Sequence, residues 1–80
     1  MHAIRSINVE LRPGLRALAG VMAVLHARAA DVAEMTYSNS GGRAWLILKI
    51  WTNAEAAARL GLQIGRRADV LDVCLPQGAM

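Results

Sequence analysis

The chain has little of what most chemistry at a protein surface requires, and each shortage closes off a class of function. It holds one cysteine, Cys74, which cannot form an internal disulfide and suits a reducing compartment, so a cytoplasmic protein is expected. It holds two histidines, His2 and His26, with no HxxxH and no CxxC around them. Neither histidine stands within two positions of a Cys, Asp or Glu, so no metal site is expected. His26 falls near the end of a helix, where its natural role is to meet free carbonyls. The longest apolar run, Ala17 to Leu25, has nine residues and is too short to span a membrane. The start, Met1 to Arg5, lacks the basic segment followed by an apolar stretch that marks a signal peptide.

Charge is sparse as well. Of nine basic residues eight are arginines, scattered along the chain, and only Arg66 and Arg67 are adjacent. The formal net charge of +3 therefore has no clustered footprint of the kind nucleic acid requires, and a solvated surface is expected instead. A nucleic-acid platform would also need aromatic residues on two central strands, and only the segment with Trp45 and Trp51 supplies them. The carboxylates Glu10, Asp31, Glu34, Glu55, Asp69 and Asp72 all fall at strand surfaces, a helix exit or a cap. Cys74 alternates with inward-facing strand residues and has no Lys or His beside it in sequence to activate its thiol. Gly41-Gly42 is a turn, with no helix start after it to make a phosphate cradle. No catalytic residues are expected, and the chain reads as a non-enzyme.

What is abundant is apolar residue. Hydrophobic types make up 55% of 80 residues against 19% charged, which excludes disorder. One small core is the most that this length allows, and such chains often complete their burial against a second chain. Residues 4 to 11 alternate, with Ile7, Val9 and Leu11 on one face, so they predict a strand. Pro13 then suits a first helical turn, and Leu15, Leu18, Met22 and Leu25 predict the buried stripe of a helix closed by Ala29-Ala30-Asp31. Val32 to Ser38 predicts a second strand, Asn39 to Gly42 a turn, and Trp45 to Trp51 a third strand. Thr52-Asn53-Ala54-Glu55 has the form of a capping box that opens a second helix, burying Ala57, Leu60, Gly61 and Ile64 and ending at Gly65. Asp69 to Leu75 predicts a last strand with Leu71, Val73 and Leu75 on one face. The order is βαββαβ: an α+β, ferredoxin-like sandwich with an antiparallel four-stranded sheet, two helices on one face, and a single domain over residues 1–80.

Three features read as surfaces for other molecules. The third strand is apolar on both faces, so with Leu46, Leu48 and Ile50 in the core, Trp45, Ile47 and Trp51 are left on the opposite face with Lys49. Either a second subunit covers that face or loop and terminal residues do. The first helix has a smooth outer stripe of Arg16, Gly20, Ala23 and Ala27 that permits close approach by another helix, or reflects an alanine-rich composition. The Pro13-Gly14 junction presents helix N–H groups suited to an anion such as an amino-acid carboxylate, though many such junctions are only turns.

Together these residues resemble the ACT domain, a small-molecule-binding regulatory module of amino-acid metabolism. The resemblance is carried by the strand leading into Leu11-Arg12-Pro13-Gly14, the helix after it, and Asp31 to Thr36 entering strand two. Within that family the chain is most similar to the short single-domain small subunits of acetolactate synthase, isozyme II type. Asn8-Val9, Arg12, Leu18, Val21, Val24, Arg28, Val32 and Met35 fall at matching spacing, as do Leu60, Gln63, Asp69-Val70 and Val73. The resemblance implies a regulatory subunit that does no chemistry, holds no cofactor, and activates a catalytic large subunit of branched-chain amino-acid biosynthesis. That large subunit would carry thiamine diphosphate, Mg and FAD. The resemblance also implies a homodimer by ACT–ACT pairing, with an amino-acid effector between the strand-one loop of one copy and strand two of the other. Carried onto this chain, that site comprises Leu11, Pro13, Gly14, Asp31 and Val32. Leu11 and Asp31 stand where the feedback-inhibited pattern has asparagines, so valine inhibition is not expected. The alternative is a stand-alone dimeric ACT domain that senses an amino acid or related small ligand.

Overall fold

A computed structural model of the chain describes residues 1–76. Four strands and two helices follow in the order β1 (Ala3–Leu11), α1 (Leu15–Ala27), β2 (Val32–Ser40), β3 (Arg43–Thr52), α2 (Ala54–Gly65) and β4 (Val70–Cys74). The sheet runs β2-β3-β1-β4, and every neighbouring pair is antiparallel. This is the expected βαββαβ, ferredoxin-like arrangement. The expected domain extends to residue 80, and residues 77–80 lie outside the described residues.

The two central strands carry the core. Ile7, Val9 and Leu11 of β1 and Ala44, Leu46, Leu48 and Ile50 of β3 are all buried, in strict alternation along each strand. Their register is uninterrupted from Ala3 opposite Thr52 to Leu11 opposite Ala44. The β2–β3 hairpin closes between Ser40 and Arg43 through Gly41 and Gly42, at φ 63° and 79°. Positive φ at both turn residues is the I′ geometry that matches strand twist, and glycine enters it without a Cβ clash.

Helix α2 follows the sequence reading: its buried residues are Ala57, Leu60, Gly61 and Ile64. Its cap lies one residue later than expected. Asn53, not Thr52, is the N-cap, and its Oδ1 accepts from the Ala56 N–H at 2.7 Å. Glu55, expected to reach back to the cap, instead lies 3.9 Å from Arg59 across one helical turn.

Helix α1 is rotated from its expected orientation. Its buried residues are Ala17, Gly20, Val21 and Leu25, with Leu18 and Val24 partly buried. Leu15 is 77% exposed and Met22 45%. Only Arg16 and His26 are polar among its thirteen residues, so the spacing of leucines could not fix which side turned inward. Small Ala17 and Gly20 flank Val21 on the buried side and allow close packing. Gly20 therefore leaves the expected outer stripe: a Cβ there would meet the Arg67 guanidinium at 2.7 Å. Pro13 lies before the helix, whose N-cap is Gly14 at φ 118°. The far end closes in a Schellman motif, with Ala30 N–H donating to Leu25 O and Ala29 N–H to His26 O, both at 3.0 Å.

Strand β4 departs from simple alternation. A bulge against Glu10 and Leu11 lets both Val70 and Val73 turn inward and pushes Leu71 outward, contrary to its expected inward face. Cys74 is exposed.

Candidate functional site

The helices cover one face of the sheet, and among the described residues the other face is open. Along β3 the outward residues are Arg43, Trp45, Ile47, Lys49 and Trp51, all exposed. Trp45 is 37% exposed, Ile47 40% and Trp51 49%. Ile4 of β1 lies opposite Trp51 and extends the apolar strip. Of the two coverings expected for this face, the terminal one is slight among the described residues. His2 approaches, its ring centroid 6.1 Å from that of Trp51. At the hairpin end, the Arg43 guanidinium lies 5.2 Å from the centre of the Trp45 ring, and Arg43 Nε donates to Glu10 Oε2 at 3.1 Å. The hydrogen bond, aided by the attraction of the carboxylate, raises the Arg43 pKa above its ordinary value. Glu10 and Ile4 were both readable as outward by parity. Their roles depended on the β1–β3 register, which sequence alone did not supply.

The β1–α1 junction is held from inside the chain. Leu11 is fully buried in the core, between Ala44 on β3 and Val70 on β4. Arg12 N–H donates to Asp69 O at 2.9 Å, and Pro13 is exposed. Gly14 N–H donates to the Tyr37 hydroxyl at 3.4 Å, and no side chain caps α1. The only tyrosine thus projects from β2 to the helix N-terminus where an anion was expected. Its inward parity, shared with Met35, was the available clue.

At the opposite end of α1, the Asp31 carbonyl accepts from Trp51 N–H at 3.0 Å, which fixes the start of β2 to the end of β3. Val32 is half-buried opposite Ile50, beside a bulge in β2. Asp31 borders a hollow of about 460 Å³, together with Arg28, Arg59, Thr52 and His2. Two guanidinium groups and one carboxylate around one cleft suit a small ligand carrying both charges. The described residues include no group of three or more His, Cys, Asp or Glu placed to hold a metal.

No protein-family model matches the sequence, and neither does any curated protein. Solved structures do match. The crystal structure of the ACT domain from GTP pyrophosphokinase of Chlorobium tepidum aligns over 95% of this chain and 100% of that one, at 12% identity and TM-score 0.82. The fold is that of an ACT domain. The small subunit of acetolactate synthase from Thermotoga maritima matches over 91% of this chain, at 12% identity and TM-score 0.81. The chain spans 47% of that subunit's length. A homoserine dehydrogenase from Thiobacillus denitrificans matches over 94% of this chain and 17% of its own, at 13% identity and TM-score 0.74.

Within one copy of this chain, the five residues expected at an effector site do not converge. Leu11, Pro13 and Gly14 lie at the start of α1 and Asp31 and Val32 beyond its end, across thirteen residues or about 20 Å of helix. Of the residues expected at a partner interface, Trp45, Ile47 and Trp51 share the open face, Ala23 is exposed on α1, and Gly20 is packed inside the chain. No helix among the described residues is long and apolar enough to cross a membrane.

Proposed function

We propose that this ACT domain is a non-catalytic, activating small subunit of acetolactate synthase, working by contact with the catalytic large subunit. The observation that carries the reading is the surplus of apolar surface on both sides of the sandwich. Trp45, Ile47 and Trp51 lie on the open sheet face, and Leu15 and Met22 on the outside of α1. A lone eighty-residue domain gains nothing by exposing these, whereas a subunit that docks on another protein does. The likeness to the Thermotoga maritima small subunit supports the choice of enzyme. On this reading thiamine diphosphate, Mg and FAD belong to the large subunit, and this chain's residues bind and position that partner. Co-expression with a candidate large subunit should yield a complex whose turnover exceeds that of the large subunit alone. Absence of both co-purification and any change in turnover would sink the proposal.

A second reading, a stand-alone ACT dimer that senses an amino acid, is favoured by the cleft at Asp31. There Arg28 and Arg59 can take a carboxylate while Asp31 takes an ammonium group. A ligand that binds only the folded state raises the melting temperature. Thermal shifts across the twenty amino acids should then reveal at least one stabilising ligand, whose effect Arg59→Ala removes. A flat response across the set rejects this reading.

A further inference from the structure

The outward column of β3 has an order that fits its own reverse. From the hairpin end it reads Arg43, Trp45, Ile47, Lys49, Trp51. A two-fold axis lying between two facing sheets, across β3 at Ile47, brings position 47 onto 47, 45 onto 49 and 43 onto 51. Each tryptophan then faces a cation of the second copy, and isoleucine faces isoleucine. We propose that the open sheet face is a self-recognition surface on which a second copy of this chain packs face to face. This pairing is independent of which enzyme the chain serves: with the sheet face taken by the second copy, contact with a large subunit falls to Leu15 and Met22 on the outer side of α1.

The chemistry is self-complementary in detail. Lys49 is the only lysine in the chain, and it stands between Ile47 and Trp51 on the apolar strip. None of the ion pairs among the described residues involves it. Across the two-fold it meets the face of Trp45, which attracts a cation most strongly among aromatic rings once water is excluded. Packed sheets cross at about 30°. Trp45 and Lys49 are two residues from the axis, roughly 7 Å along the strand, so the crossing displaces them by only about 3 Å. That lies within the reach of a lysine side chain. Arg43 and Trp51 stand four residues from the axis, where the same crossing displaces them by about 7 Å, so the Lys49–Trp45 pairs carry the recognition while Arg43 stays over its own Trp45.

Size agrees with charge. A stable dimer buries about 800 Å² on each side, roughly a sixth of this chain's 5177 Å². Four strands of 9, 9, 10 and 5 residues, spaced about 4.8 Å apart, present roughly 500 Å² before side-chain relief is counted. Pairing through the edge of β2 would leave the two tryptophans in water, whereas pairing through the face removes them from it.

Sedimentation of the full chain tests this. The wild-type chain should be a dimer at micromolar concentration. Ile47→Glu sets two carboxylates against each other at the axis and should raise the dimer dissociation constant roughly thirtyfold or more, with an unchanged circular dichroism spectrum. Lys49→Glu should weaken it as well, because it puts an anion over Trp45. Facing sheets lie about 10 Å apart, beyond disulfide reach but within that of a bismaleimide. In a Cys74→Ser background, Ile47→Cys should crosslink into a covalent dimer, and Ala23→Cys on the outside of α1 should not. A monomeric wild type, a dimer that survives Ile47→Glu, or crosslinking at position 23 instead of 47 overturns the proposal. A monomer that still activates a large subunit would overturn the pairing alone and leave the subunit reading standing.

Discussion

The two helices of this sandwich pack on the same face of the same sheet, yet only one had a rotation that its sequence could fix. Helix α2 sets Glu55, Arg59 and Gln63 four residues apart along one side, and Ala57, Leu60, Gly61 and Ile64 turn inward as the spacing dictates. Helix α1 is apolar nearly all round, and it settles with the small residues Ala17 and Gly20 inward and Leu15 and Met22 outward. Polar residues tell a helix which side to expose, and where they are missing, packing decides. The surplus apolar side of α1 is then available to something outside the chain.

That contrast has a large energetic consequence. Ile64 is fully buried on α2, so Ile64→Ala removes core contacts and leaves a cavity. It should lower the unfolding free energy by about 2–5 kcal/mol. Met22→Ala on α1 should change it by less than about 0.5 kcal/mol, since half of that side chain already meets water. Urea unfolding of both variants checks this. Equal losses would mean that the outer side of α1 is as much part of the core as the inner side of α2.

The same physics separates what could be read in the sequence from what could not. The element order was legible because strand alternation at Ile7, Val9 and Leu11, the double glycine at 41 and 42, and the four-residue polar spacing of α2 are all local signals. The outward placement of Trp45, Ile47 and Trp51 was legible too, because Lys49, the one charged residue of that run, shares their parity and marks the face that meets water. The bulge in β4 was not: it depends on how Val70 and Val73 meet β1, which is a non-local fact. Nor was the hydrogen bond between Tyr37 and Gly14, which joins residues twenty-three apart through the sheet. The cleft at Asp31 gathers Arg28 from the C-cap of α1 and Arg59 from α2, and no sequence pattern links them.

The ends of the two helices sharpen the comparison at smaller scale. Helix α2 starts with a side-chain cap and α1 with none. Asn53→Ala leaves the Ala56 N–H without its acceptor and should cost about 1 kcal/mol. Gly14→Ala tests the other start. No neighbour lies within 4 Å of a Cβ there, so any loss reflects the φ of 118° alone and not a clash. If Asn53→Ala were neutral in urea unfolding, the cap would contribute nothing and the two starts would be equivalent.

The C-terminal end of α1 offers the smallest and most informative change. Ala29 holds φ 52° at the position of the Schellman motif where glycine is usual. A Cβ in that left-handed region costs about 1–2 kcal/mol. Glycine removes the strain but gives the unfolded chain extra freedom, a loss of about 0.4–1 kcal/mol. Ala29→Gly should therefore stabilise the fold by about 0.5 kcal/mol, visible as a higher urea midpoint with an unchanged slope. The hydrogen bonds from Ala29 and Ala30 to the helix carbonyls use backbone N–H groups and survive the change. Because Ala29 also borders the Asp31 cleft, the same variant tests whether that wall is set by strain. If Ala29→Gly instead destabilises, the alanine methyl is packing against the cleft and the left-handed turn is imposed by contacts there, not merely tolerated at the end of the helix.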